Sequence, residues 1–95
     1  MRKFEMKQVR DAYIFSDNGG QALHMHVLNK GHKLFERYPV IAHLMDMNKD
    51  RLIATARRLG VRVIKVEREG VQGQHIDLCG KPLERAIKLC EGETV

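Results

Sequence analysis

The sequence predicts a small α/β or α+β domain, one sheet of four or five strands with an N-terminal β-hairpin and two main helices. Three observations predict it. Apolar and polar residues alternate with period two in "HIDL", residues 75–78. "NKDRLIATARRLG", residues 48–60, carries helix start and stop signals around an apolar stripe. "KPLERAIKLC", residues 81–90, repeats that helical spacing.

Taken in chain order, "DAYIFSDNGGQALHMHVLN" predicts the hairpin. Tyr13, Ile14 and Phe15 form a strand-like run, and "DNGG" supplies turn residues that tolerate positive φ. Ala22, Leu23, Met25 and Val27 form the returning run, with His24 and His26 on its other face. "NKGHKLFERYP" is a connection with a helical turn around Leu34 to Glu36. "VIAHLM", residues 40–45, is a short buried strand.

Asn48 is a good N-cap for the following helix, and Asp50 in its first turn suits the positive end of the helix dipole. Leu52, Ile53, Ala56 and Leu59 form its inner stripe. Arg57 and Arg58 suit its C-terminal end, and Gly60 stops it. The β-branched run "VRVIKVERE" then predicts a strand through Val61, Val63, Ile64 and Val66, so that strand, helix and strand make a parallel pair with a crossover helix. "REGVQG" is a loop and "QHIDL" a short strand. The last helix begins with Pro82 at its first position and buries Leu83, Ala86, Ile87 and Cys90.

The chain has 95 residues, one domain's worth, with 43% hydrophobic and 31% charged residues. That composition is globular rather than disordered. With no Trp, two Tyr and three Phe, the core must be aliphatic. No repeat, low-complexity segment or Pro/Ser-rich linker divides the chain. Cys79 and Cys90 form no C-x-x-C, so neither a zinc ribbon nor a redox pair is supported, and lone cysteines suit a reducing cytoplasm. The start "MRKFEMKQVR" lacks the apolar region of a signal peptide, and "PVIAHLM" is too short to span a bilayer, so no membrane partner is expected.

The formal charge of +5 is compatible with a polyanionic partner, but also with solubility alone. Arg57, Arg58, Arg62, Lys65 and Arg68 form one basic run; Lys30, Lys33 and Arg37 form another. Glutamates interrupt both, and neither is interleaved with stacking aromatics, so a solvated charged face explains them as well as nucleic acid does. "DNGG" lacks the Gly-Lys-Ser/Thr ending of a phosphate loop, and Ser16 has no G-x-S-x-G setting.

The histidines carry the chemistry. On a strand, His75 and Asp77 share one face while Ile76 and Leu78 share the other. Imidazole beside carboxylate can bind a metal, or act as a base with its orienting group; the bland alternative is a solvent-facing strand end. His43 lies near the end of an apolar strand, just before a helix N-terminus, where ligands gather in open α/β sheets. If the strands of His43 and His75 are neighbours, their rings converge near Asn48. His24 and His26 form an H-x-H, a spacing that puts two ring nitrogens on one face and suits a metal.

Residues 41–90 resemble a small bacterial and phage family catalogued as domain of unknown function 4031. The resemblance rests on His43-Leu44, the capped helix from Leu52 to Gly60, His75-Ile76-Asp77-Leu78, and Ala86 to Leu89. The chain departs from the family pattern at "RVIKVE", where an aromatic pair is usual, at "KPL" in place of Ser-Lys-Arg, and at Ile76 in place of Tyr. The family has no assigned activity, so the resemblance points to His43, His75 and Asp77 without implying a reaction.

Three functions follow as expectations. The first is binding of a phosphate-bearing ligand, a nucleotide or nucleic acid, near His43, His75 and Asp77 with Asn48, Arg57 and Arg58. The second is a metal-dependent hydrolase in which His43, His75 and Asp77, together with His24 and His26, hold a divalent ion. The third is a protein-interaction module, for which an edge strand offers a route to a homodimer.

Overall fold

The structure is a computed structural model that describes residues 1–27 and 40–94. It is a mixed α+β fold built on one four-stranded sheet. The strands are β1 (Arg2–Phe4), β2 (Ala22–Val27), β3 (Val40–Met45) and β4 (His75–Leu78), side by side in that order. β1 runs parallel to β2, while β2–β3 and β3–β4 are antiparallel. The helices are α1 (Val9–Asp17), α2 (Lys49–Arg58) and α3 (Gly80–Cys90), and a 3-10 turn, Met6–Gln8, leads into α1.

The sheet has two unlike faces. Leu23, Ala42, Leu44, Ile76 and Leu78 point to one side and form the larger core with Leu52, Ala56 and Leu59 of the α2 segment and Leu83 and Ala86 of α3. Ala22 and Met45 point to the other side, where they pack with Phe4 and with Ala12, Tyr13 and Phe15 of α1. Successive strand residues alternate between these faces, so each strand feeds both layers.

The N-terminal third differs from the hairpin expectation. A strand pair is present, but it is β1 with β2, running parallel, and α1 is the crossover between them. Tyr13, Ile14 and Phe15 are helical. Asp17 closes α1 and Asn18-Gly19-Gly20 leaves it, with Gly19 at φ +91°, so "DNGG" ends a helix rather than turning a hairpin. The helical period was present in Val9, Ala12, Tyr13 and Ser16; the aromatic and β-branched content of "YIF" masked it.

The strand expected over 61–66 does not form. This segment touches the sheet's outer edge only through a bridge between Glu67 and His75, while Val61, Ile64 and Val66 pack on the core and Val63 is exposed. There is accordingly no parallel pair around α2, and the strand that follows it, β4, is antiparallel to β3. Pro82 is the third residue of α3, not the first. It is tolerated because the first four helical N–H groups lack intrahelical acceptors. The expected turn at Leu34–Glu36 and the basic run Lys30, Lys33 and Arg37 lie outside the described residues.

The two later helices form as their ends dictate. The Asn48 side chain accepts a hydrogen bond from the Arg51 N–H, which caps α2. Gly60 takes φ +95° just beyond α2, and a Cβ there would lie 2.5 Å from Arg85 Nη1. Arg85 needs that space, because it donates to the Leu59 carbonyl at 2.8 Å and so ties α3 to the end of α2.

One buried carboxylate joins most of the parts. Asp46, directly after β3, is fully buried. It accepts from Arg51 Nε at 2.6 Å and Nη2 at 2.8 Å, from Gln21 Nε2 at 3.0 Å and from the Asn48 N–H at 2.9 Å. Arg51 also donates to the Gly19 carbonyl at 2.8 Å, and buried Gln74 donates to the Asp46 carbonyl at 2.8 Å. Asp46→Ala is expected to destabilise the fold by about 2–3 kcal/mol in urea unfolding. That is below the roughly 3–5 kcal/mol typical of a broken buried pair, because Arg51 stays half exposed and can be rehydrated. A loss under about 1 kcal/mol would show that the network is incidental.

Candidate metal centre

The register of the sheet assembles the histidines. His24 is paired with His43 across β2 and β3, and His43 with Asp77 across β3 and β4. These three therefore form a row on one face, the face of α1. His26 and His75 lie on the same face in neighbouring rows. The ring centroids of His43 are 6.0 Å from those of His24, 5.3 Å from His26 and 4.3 Å from His75.

The hydrogen-bond parity of the strands decides which pair is closest. The N–H and C=O of His75 bond outward to Glu67, at 3.0 and 2.8 Å. Asp77, two residues on, presents its backbone the same way, so His43 and Asp77 form a non-hydrogen-bonded pair. Side chains approach more closely at such pairs. His43 Nδ1 indeed lies 2.8 Å from Asp77 Oδ1, and His75 Nε2 lies 3.3 Å from the same oxygen. One donor atom from each of His43, His75 and Asp77 falls within 4.8 Å of the other two, close enough to hold a metal ion; it is the one such group among the described residues.

The protonation of His75 follows from its partners. Its Nδ1 lies 2.7 Å from the Gly73 carbonyl, which can only accept, so Nδ1 carries a proton. In the neutral ring Nε2 is then a bare lone pair facing the Asp77 carboxylate. Two acceptors in contact call for a cation between them, either a second proton on His75 or a metal. Burial by itself would lower the His75 pKa, but the hydrogen bonds to Asp77 and Gly73 and the charges of Asp77 and Glu67 outweigh it and raise the value above 6.5. The imidazoles of His43 and His75 together hold Asp77 well below the usual carboxylate range, against the opposing effect of burial. The His43 contact is close but poorly aligned, since Nδ1 makes no directed hydrogen bond. We read it as electrostatic rather than as a formed hydrogen bond.

Gly73 is the backbone device that sets this up. Its φ of +84° suits glycine, and a Cβ would meet Tyr13 and Arg68, each at 3.1 Å. The chain can thus turn tightly under α1 and return its carbonyl to the ring two residues later.

A cavity of about 240 Å³ lies between the histidine face and α1, lined by Val9, Tyr13, His24, His26, His43, Met45 and His75. No lysine or arginine is among these residues. Asn48, Arg57 and Arg58 are elsewhere. Asn48 is committed to the α2 cap, and Arg57 and Arg58 are exposed on α2, which packs on the opposite face of the sheet. The structure therefore brings together His24, His26, His43, His75 and Asp77, and does not bring the N-cap or the two arginines to them. Asp46 and Gln74, two buried polar residues at the junction that leads into β4, carry no signal that singles them out in the sequence. Asp46 follows an apolar strand and precedes an N-cap by two residues, which reads equally well as a turn.

Among the described residues no helix is long and apolar enough to cross a membrane. Comparisons with protein-family models, curated proteins and solved structures return no match. The resemblance noted over residues 41–90 thus rests on its motifs, and the geometry of the site carries the functional argument.

The metal-free protein should show the ionic coupling in its stability. The raised pKa of His75 adds stability that is full below 6.5 and is lost as pH rises through the raised value. The lowered pKa of Asp77 adds stability present above 3.8 and lost as pH falls through the lowered value. The difference in unfolding free energy between wild type and Asp77→Asn is expected to be largest between these limits and to shrink on both sides. A difference independent of pH would mean that the pair is not coupled.

Proposed function

We propose that the protein binds a divalent first-row transition metal through His43, His75 and Asp77, and that the ion serves to activate water for hydrolysis. The observation that carries this is His75 Nε2 set 3.3 Å from the Asp77 carboxylate, with the other ring nitrogen donating to a backbone carbonyl. Metal-ligating histidines usually make such a second hydrogen bond, which orients the ring and settles its tautomer. Two imidazoles and one carboxylate suit zinc, iron, nickel or copper better than magnesium or calcium, which favour all-oxygen sets. Three protein ligands leave coordination open for water, as in catalytic rather than structural zinc sites. A bound ion would lower the pKa of that water toward neutrality.

The phosphate-ligand alternative has less support. It called on Asn48, Arg57 and Arg58, and these belong to the helix layer across the sheet. In the cavity beside His43 the described residues offer a phosphate imidazoles, Tyr13 and apolar side chains but no Lys or Arg, and its charge would oppose Asp77.

Zinc content at neutral pH, read by native mass spectrometry on refolded and metal-loaded protein, tests the proposal. His75→Asn and Asp77→Asn are each expected to hold one ion fewer per chain than wild type, with unchanged circular dichroism. Zinc-dependent hydrolysis of para-nitrophenyl acetate should disappear with that ion. Equal ion content in all three proteins would sink the assignment.

A further inference from the structure

His24 is prepared as a ligand in the same way as His75, yet lies outside the group that would hold the first ion. Its Nε2 is 3.1 Å from the carbonyl of Met6, in the 3-10 turn before α1. A carbonyl accepts, so Nε2 carries the proton and Nδ1 is a lone pair. His24 is only 4% exposed, and Nδ1 has no hydrogen-bond partner among the described residues. In the neutral ring that nitrogen offers its lone pair to a ligand. An unsatisfied buried acceptor costs about 1–3 kcal/mol. Such an atom in a native fold calls for an occupant that the described residues do not provide.

The position of His24 narrows what that occupant is. His26, two residues along the same strand, shares the face and lines the same cavity of about 240 Å³. Two imidazoles at i and i+2 on a strand are a chelating pair. His24 and His26 are not among the donors that gather within 4.8 Å around Asp77, so they are not placed to share that ion. The cavity has space for ions and a few waters, since one water occupies about 30 Å³ of liquid volume.

We propose that His24 Nδ1 and His26 hold a second divalent transition-metal ion beside the first, making the histidine face a two-ion centre completed by water. This rests on the metal reading of His43, His75 and Asp77. Held by His43, His75 and Asp77 on one side and His24 and His26 on the other, two ions would supply the chemistry of two-metal hydrolytic sites.

Counting ions on the full chain distinguishes the two proposals. Cobalt(II) and zinc are titrated separately and bound ions counted by native mass spectrometry. Wild type is expected to bind two ions per chain. His26→Asn, at a partly exposed position, is expected to bind one, and that one should be lost on adding Asp77→Asn. His24→Asn should match His26→Asn; because His24 is buried, His26→Asn remains the deciding variant if His24→Asn does not fold. One ion in wild type, lost in Asp77→Asn, would overturn the second site and leave the first standing. Two ions retained in His26→Asn would also overturn it. No ion in wild type would overturn both.

Discussion

The fold depends on Asp46 being satisfied. A carboxylate with no exposure to water needs nearly every lone pair engaged, and here the engagements come from different parts of the chain. Arg51 is one turn into α2, Gln21 precedes β2 and Asn48 begins α2, while Gln74, which leads into β4, donates to the main-chain carbonyl of the same residue. Arg51 in turn reaches the Gly19 carbonyl at the exit of α1. The carboxylate therefore ties the junctions of both outer layers to the end of the central strand pair. It does so with directed bonds, which specify a geometry in a way that aliphatic packing does not.

That junction sets the start of β4, and the start of β4 sets the site. Gln74 bonds Asp46 through both backbone and side chain, at 3.2 and 2.8 Å, so His75 must follow opposite Met45. From there the alternation of the strand leaves no freedom. Ile76 and Leu78 enter the aliphatic core, and His75 and Asp77 face α1. A slip of one residue would turn the carboxylate into the aliphatic core and turn two large apolar side chains out of it, so the core itself guards the register of His75 and Asp77. The polar network and the hydrophobic layer thus act together on the same four residues.

The layer over the histidines differs from the layer over the core. α2 and α3 cover their face with leucines and alanines, whereas α1 contributes Ala12 and Tyr13 and leaves a cavity beside them. The backbone also contributes acceptors at the rim, Met6 for His24 and Gly73 for His75. Each takes one ring N–H and turns the opposite nitrogen away from the main chain, toward Asp77 in the case of His75. Two separate segments of main chain have the same effect on two separate imidazoles, which is the chemical character of this face.

Much of this was legible locally. The N-cap Asn48, the stripe of α2, the stop at Gly60 and the stripe of α3 are signals carried within a few residues, and they act through local sterics and hydrogen bonds. The alternation in residues 75–78 was equally plain, and with it the shared face of His75 and Asp77. Tertiary structure decided the rest. "YIF" has strand propensity but became helix because Ala12, Tyr13 and Phe15 pack on the sheet from α1. "VRVIKV" has strand propensity but pairs with no strand, and only the following residue, Glu67, bridges to His75. β1, three residues long, gains its identity from β2 alone. The meeting of His24 and His26 with His43, and of His43 with Asp77, depends on strand order and register, which are set by contacts between residues far apart in the chain. A periodic pattern tells which side of its own strand a residue occupies; only the pairing of strands tells which residues it meets there.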